Sequence, residues 1–237
     1  MSEPQPSSTP TDGQIYERVL SAILDHRLQP GTRLAENKLA AAFGVSRTRV
    51  RPVLVRLANE QVVRLTHNRG ATVSQPTERE AHEVFQVRRM IEPSLVERFI
   101  AHANPSDMQR LGECLSDEVQ ARAAGDVRKA IRLSGEFHLL IAGGADHETL
   151  GRILRELISR TSLILMAYSP SLRGHREAAS VCGCFEHRSL LNAIVRRDAA
   201  EAAALMRAHL QQLEDRLQYA TVDECTQDLC ALFGTVA

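Results

Sequence analysis

Apolar positions divide this 237-residue chain into two regimes. Up to residue 73 they come as short helical bursts followed by an alternating stretch. From residue 77 they recur every three to four residues almost without a break. In the first regime Ile15, Val19, Ala22 and Ile23 predict one helix. Leu39, Ala40 and Phe43 predict a second, which ends at Gly44, where a left-handed backbone carries no steric cost. Ser46 reads as the N-cap of a third, its hydroxyl accepting a backbone N–H, and this helix buries Val50, Val53, Leu54 and Leu57. Pro52 lies inside it and removes a hydrogen bond to the Thr48 carbonyl. The helix is therefore expected to start tightly, kink near residues 48–52 or begin one turn late. Val62, Val63, Arg64 and Leu65, the polar turn His67, Asn68, Arg69 and Gly70, and then Ala71, Thr72 and Val73 predict a two-stranded ribbon. Helix, turn, helix and ribbon make a winged helix-turn-helix over residues 11–75, behind a flexible tail at 1–10.

Ser74, Gln75 and Pro76 interrupt the pattern, and the capping box Thr77-x-x-Glu80 opens a second domain expected over residues 76–224. Its first helix is predicted over 77–103, kinked at Pro93. A second opens at Ser106-x-x-Gln109 and ends near Gly125. Asp126 caps a third, running to about Ala142 before Gly143 and Gly144. A fourth covers 147–168, followed by a loop at Ser169, Pro170 and Gly174. A fifth spans 177–197, and Asp198-x-x-Glu201 opens a sixth that lasts to about Val222. No period-two alternation follows Val73, and no internal repeat is visible. The expected fold class is mainly α: an N-terminal winged helix-turn-helix, then an antiparallel helical bundle of about six helices, with a C-terminal tail at 225–237.

The exposed start of the third helix carries Arg47, Thr48, Arg49 and Arg51 and no carboxylate. Backbone N–H groups and the helix dipole favour phosphate at such an end, and arginine forks onto guanine edges in the major groove. The DNA-contacting set is accordingly Asn37, Ser46, Arg47, Thr48, Arg49, Arg51, His67, Arg69 and Gly70. Pro30-Gly31 through Leu34, Ser46-Arg47-Thr48 and Asn68-Arg69-Gly70 resemble, in order and spacing across some sixty residues, the GntR-type bacterial transcription regulators. Proteins of that type usually carry proline near the third position of the recognition helix; here Arg49 stands there and Pro52 lies a turn further in.

Composition sharpens this division. Net charge is zero, yet residues 1–76 hold ten Lys/Arg against six Asp/Glu, and the remainder is correspondingly acidic. A basic head on a neutral chain suits a nucleic-acid binder whose other domain has a different task. The polar, proline-rich start is not expected to be a signal peptide, and no apolar run approaches the length of a bilayer. Five cysteines do not form a disulfide framework, and Cys182-Gly-Cys184 lacks a matching second pair. A cytoplasmic protein without membrane contact is expected.

The bundle holds the remaining chemistry. His138 lies on the apolar stripe of the third bundle helix, seven residues beyond Ile131. His187 lies three, four and seven residues before Leu190, Leu191 and Ile194, and His209 falls among Leu205, Met206 and Leu213. Three imidazoles thus point inward from three helices, and each buried ring needs a polar partner. A divalent cation satisfies all three at once; a hydrogen-bonded cluster without metal is the alternative. Arg88 falls on the stripe of the first bundle helix among Val84, Val87, Ile91 and Leu95. A buried guanidinium needs an anion, either a structural carboxylate such as Glu136 or an acidic ligand.

Phe137-His138, Glu186-His187 with Asn192-Ala193-Ile194, and Met206-x-x-His209 resemble the FadR-like branch of the same family, with its all-helical FCD ligand domain. That resemblance implies a divalent metal (zinc, nickel or manganese) held by the three histidines and an aspartate, and effectors that are small organic acids. The aspartate's position, four residues before the first histidine, is Ser134 here. Arg88, Ser134 and Thr161 are the expected effector-binding residues. The implied function is a homodimeric, ligand-responsive regulator, a repressor, binding double-stranded operator DNA. A metal sensor without organic effector and a three-histidine hydrolase are the alternatives. Against the latter, the chain has no HExxH, GxSxG, P-loop or dinucleotide-binding glycine turn, and no poised acidic base, so it is not expected to be an enzyme.

Overall fold

The structure, a computed structural model, describes residues 9–25, 27–66, 70–169, 182–219 and 229–233. The chain forms two units, Met1–Gln75 with Val222–Ala237, and Pro76–Thr221.

In the first unit Thr11 and Gln14 form a reciprocal capping box that opens α1 (Asp12–Leu24), which buries Ile15, Tyr16, Val19, Ala22 and Ile23. α2 (Glu36–Phe43) stops at Gly44, whose φ of 64° is the left-handed cap expected of it. α3 (Arg47–Asn59) buries Val50, Val53, Leu54 and Leu57, as its spacing requires. It begins at Arg47, not a turn later. Its first bond, from the Arg49 N–H to the Ser46 carbonyl at 3.1 Å, closes over three residues, so the helix takes the tight start among the three alternatives. Ser46 occupies the N-cap, but its hydroxyl caps no backbone N–H; it lies 2.7 Å from the Thr48 hydroxyl instead.

The ribbon is β2 (Val63–Thr66) and β3 (Gly70–Val73), with Val63 opposite Val73 and Leu65 opposite Ala71. A third strand, β1 (Arg33–Leu34), joins it and gives the antiparallel order β1-β3-β2. Gly70 explains how β1 fits. Its φ is 93°, and a Cβ there would sit 2.3 Å from the Leu34 carbonyl oxygen, so only glycine lets the two backbones meet. The stretch expected as a tail, 225–237, includes α10 (Leu229–Phe233), which packs on α2 through a Phe43–Phe233 ring contact at 5.0 Å.

The second unit comprises α4 (Glu78–His102), α5 (Pro105–Ala123), α6 (Val127–Gly144), α7 (Glu148–Tyr168), α8 (Cys182–Val195) and α9 (Ala199–Asp215). α4 is central, packed on α6, α7 and α9, while α5 packs on α6 and α8. Phe85, Leu95, Phe99, Phe137, Met206 and Leu210 are fully buried between them. Each such side chain contributes roughly 1.5–3 kcal/mol through removal from water. The Thr77/Glu80 capping box forms as expected, and α4 continues through Pro93.

Three boundaries differ from the expectation. Asn104 and Asp107, not Ser106 and Gln109, form the box that opens α5, because Pro105 suits the first helical position, where no N–H is needed. α6 continues through Gly143 and Gly144. Gly144 lies so close to Phe99 that a Cβ would stand 2.6 Å from its ring, so this glycine serves close packing, not termination. α9 ends at Asp215, short of Val222, which lies outside the described residues. Also outside them are Pro170, Gly174, residues 177–181, and the side chains of Cys182 and Cys184.

One surface contact ties α4 to α9. The His82 ring nitrogen Nδ1 lies 2.6 Å from Glu214, which also accepts from Arg89; Glu78 lies 3.7 Å from the other ring nitrogen, and the Tyr219 ring is 5.4 Å away. The hydrogen bond to Glu214 raises the His82 pKa above its ordinary 6.5, against the opposing effect of burial. A raised histidine stabilises the fold fully below its unfolded value and loses that contribution as pH rises through the folded one. The melting-temperature difference between the native chain and His82→Gln is therefore expected to be widest below about pH 6.5 and to shrink as pH rises above it. A difference that widened with pH would contradict this assignment.

Candidate functional site

His138 on α6, His187 on α8 and His209 on α9 are buried together, with 2%, 0% and 3% of their surface exposed. One ligand nitrogen from each lies within 4.8 Å of the others. All three histidines that the periodicity placed inside the bundle are brought together by its packing. Phe137 stacks on the His187 ring at 4.4 Å, and His138 stacks on His209 at 5.2 Å.

Each ring turns its Nδ1 to a carboxylate. His138 lies 2.5 Å from Glu92, His187 2.7 Å from Glu118, and His209 2.6 Å from Glu186. Each carboxylate gives its other oxygen to an arginine. Arg88 Nε donates to Glu92 at 2.5 Å, Arg122 Nη2 to Glu118 at 2.9 Å and Arg216 Nη2 to Glu186 at 3.0 Å. Three arginine–glutamate–histidine relays therefore converge on one point.

The relays fix where the protons lie. Burial alone would raise the Glu92 and Glu118 carboxyls, but the facing arginines and histidines outweigh it and hold both at about 2. Glu186 is lowered for the same reason, with the His209 hydrogen bond prevailing over burial. An ionised carboxylate can only accept, so the ring hydrogen sits on Nδ1 in each relay. Burial lowers the His138 pKa and takes that of His209 to about 3, so both rings are neutral near pH 7 and their Nε2 atoms carry lone pairs. His187 Nε2 and His209 Nε2 face each other at 3.3 Å, and His138 Nε2 is buried with no partner among the described residues. Buried imidazole nitrogens converging from three helices, with His138 Nε2 unpartnered, are the donor set of a cation. Imidazole oriented by a carboxylate at its second nitrogen is the usual form of a histidine metal ligand. The residues fit a divalent metal.

Arg88, 1% exposed, has a different partner from the one expected. Glu136 is exposed, and the guanidinium instead meets Glu92, one turn on along α4. Its Nη1 donates to the Thr161 hydroxyl at 3.3 Å, and that hydroxyl donates to the Leu157 carbonyl at 2.8 Å. Nη2 is buried without a partner among the described residues. Ser134 is half-buried, one turn before His138 on α6.

Sequence reasoning passed over Glu92, Glu118 and Glu186. The signal for the first two was present. Glu92 follows Arg88 by one turn on the same buried stripe, and Glu118 sits among Leu111, Cys114, Leu115 and Ala121 on the buried face of α5. Glu186 gives no such signal beyond its place beside His187.

In the first unit Arg47, Thr48 and Arg51 are exposed at the start of α3, and Asn37 is exposed on α2. Arg49 is held differently. Its Nε donates to Asp12 at 2.8 Å and its Nη2 to the Pro10 carbonyl at 2.6 Å, which clasps α3 to the start of α1. Gly70 is buried against β1, so its place in the ribbon is structural. His67 and Arg69 lie outside the described residues.

Residues 11–73 match the bacterial regulatory proteins of the gntR family, and residues 83–212 match the FCD domain. An uncharacterized HTH-type transcriptional regulator of Bacillus subtilis, YdhC, is 24% identical over 89% of this chain and 92% of its own length. The gluconate operon transcriptional repressor of the same species is 26% identical over 90% of this chain and 87% of its own. The solved structure of Escherichia coli McbR/YncC superposes with a TM-score of 0.72 at 23% identity, covering 85% of this chain and 93% of that one, and so shares the fold. Among the described residues no helix is long and apolar enough to cross a membrane.

The buried relay is testable without any ligand. Arg88→Met leaves Glu92 in the core with one partner instead of two. Breaking a buried ion pair from one side typically costs on the order of 3–5 kcal/mol. Urea denaturation of the metal-free chain should register a loss of that size; a loss under about 1 kcal/mol, the value of an exposed pair, would mean that the pair is not buried as described.

Proposed function

The chain belongs to the gntR family of bacterial regulatory proteins and carries the FCD domain, and on that premise we propose that it is a homodimeric cytoplasmic repressor released from its operator by a small organic acid. The observation that carries the effector reading is a pair of buried, unpartnered atoms on a single relay, Arg88 Nη2 and His138 Nε2. A guanidinium N–H without an acceptor and an imidazole lone pair without a donor are complementary to an anion and a cation respectively. His138, His187 and His209 would hold a divalent metal (zinc, nickel or manganese). Such a metal supplies a Lewis-acidic position for an effector oxygen. Arg88 would take the effector's carboxylate through Nη2, with Thr161 orienting the guanidinium by accepting from Nη1, and Ser134 lies one turn before His138 on α6. The protein is read as non-catalytic, its chemistry being binding alone.

Arg47, Thr48 and Arg51, exposed and without a neighbouring carboxylate in the first turn, are read as the residues that meet the major groove. Arg49, clasped by Asp12, is read as a brace. Two copies reading two half-sites require a self-complementary surface, and the exposed apolar Val87 and Met90 on α4 support one. Effector binding changes operator affinity only as far as the acid prefers one arrangement of the reading heads over another. Repression is favoured by the named function of the gluconate operon relative.

A metal sensor without organic effector uses the same histidines, but it leaves Arg88 Nη2 without a task. The two readings separate on metal-stripped protein bound to labelled operator DNA. Release by a carboxylic acid after metal loading supports the effector reading, and release by metal alone supports the sensor.

For the reading head, Arg47→Ala/Arg51→Ala should weaken operator binding by on the order of 1–3 kcal/mol per lost bidentate contact, measured by fluorescence anisotropy. Full operator affinity in the double variant would reassign the head. For the bundle, a metal held at about a hundredfold above its dissociation constant should stabilise the fold by about 2.7 kcal/mol, so chelation should lower the melting temperature. His138→Ala, His187→Ala and His209→Ala should each abolish stoichiometric metal binding while operator binding without effector survives. Elemental analysis finding no metal, with no uptake of zinc, nickel or manganese, would defeat the cation.

A further inference from the structure

We propose that Glu92, Glu118 and Glu186 are positioning residues whose arginine clamps turn each of them into a tautomer lock, holding the hydrogen of the facing imidazole on Nδ1 and keeping Nε2 open as a donor. The inference rests on the cation reading for its function, but not for its geometry.

The clamp is what makes the lock stringent. A carboxylate alone would already accept from Nδ1–H. In each relay, however, the second oxygen is taken by an arginine that can only donate: Arg88 to Glu92, Arg122 through both Nε and Nη2 to Glu118, and Arg216 to Glu186. Consider Glu118→Gln. The amide has one acceptor atom and one donor group, and the NH2 group cannot face Arg122. The carbonyl oxygen must therefore take the arginine side, which leaves the NH2 pointing at His187 Nδ1. That nitrogen can then only accept, and the ring hydrogen moves to Nε2. A substitution that changes neither size nor shape thus closes one of three converging donors. Without the arginine the amide is free to turn, present its oxygen to Nδ1–H and restore the original tautomer.

This predicts a rescue that a packing role does not. Removing Arg122 from the native chain should change little at His187, because the carboxylate still accepts. Removing it from the Glu118→Gln chain should restore what that substitution took away. A residue that only fills space would show two losses accumulating.

The experiment uses the full chain and two readouts, zinc affinity by competition against a chromophoric chelator and the protonation site of His187 by nitrogen-15 imidazole spectra of the metal-free protein. Glu118→Gln is expected to weaken zinc by about 10- to 100-fold, in the range of lost partners of a metal-bound histidine, and to move the His187 hydrogen from Nδ1 to Nε2. Arg122→Met is expected to leave both near native, and Arg122→Met/Glu118→Gln to recover most of the affinity and the Nδ1–H form. An unmoved hydrogen in Glu118→Gln overturns the proposal, as does unchanged zinc affinity there or a double variant no better than the single one. If the native chain binds no zinc, the cation reading falls, and the nitrogen spectra alone decide the lock. Glu186→Gln with and without Arg216→Met repeats the comparison where the arginine is half-exposed, so a folding defect at position 118 does not block the test.

Discussion

The second unit is organised by the cost of burying charge. Glu92 and Glu118 are almost fully removed from water, and a carboxylate in that position persists only when both oxygens are answered. Each is answered twice, by an arginine one turn away on its own helix and by a histidine from another. The arginine is thus supplied locally, while the histidine joins helices distant in sequence, α4 to α6 and α5 to α8. Glu186 on α8 completes the set by meeting His209 on α9. The apolar side chains that surround these relays supply most of the stabilisation. The relays decide which helix lies beside which, since a bundle packed in another register would leave ions buried without partners.

The two units use arginine for opposite ends. In the relays of the bundle each guanidinium faces a carboxylate, so the charges cancel, and Arg88 Nη2 and His138 Nε2 are left as buried atoms without a partner among the described residues. At the start of α3, Arg47 and Arg51 stand exposed with no acidic residue in the first turn, so positive charge accumulates at the helix end whose dipole adds to it. Arg49 shows that position on such a helix does not settle the role. It lies between those two arginines in sequence, but Asp12 faces it from α1, and that neighbour converts a candidate reader into a brace.

Much of this was legible beforehand, and the residues that were not share a cause. Periodicity reports which side chains face inward, so it found the three histidines, Arg88 and the long helices. It does not report which inward groups meet across helices, and so it offered Arg88 the exposed Glu136 instead of Glu92. Elements shorter than two periods leave no repeat to read, which is why β1, two residues long, and α10, five residues long, were passed over. The α5 boundary was misplaced because Asn104 and Ser106 both offer an N-cap side chain, and Pro105 between them decides the matter. Ser46 was assigned the right place and the wrong bond, since an exposed hydroxyl has more than one partner within reach.

β1 has a mechanical consequence. It lies only two residues before the first residue of α2, and Gly70 presses β3 against its carbonyl with no side chain between them. The described strands of the ribbon are therefore tied, through β1, to the start of the helix pair. Rotating the ribbon would drag Leu34 and, through Ala35, lever the beginning of α2. The ribbon thus meets the helix pair through the β1–β3 pairing, only one residue of backbone, Ala35, separating that pairing from the start of α2.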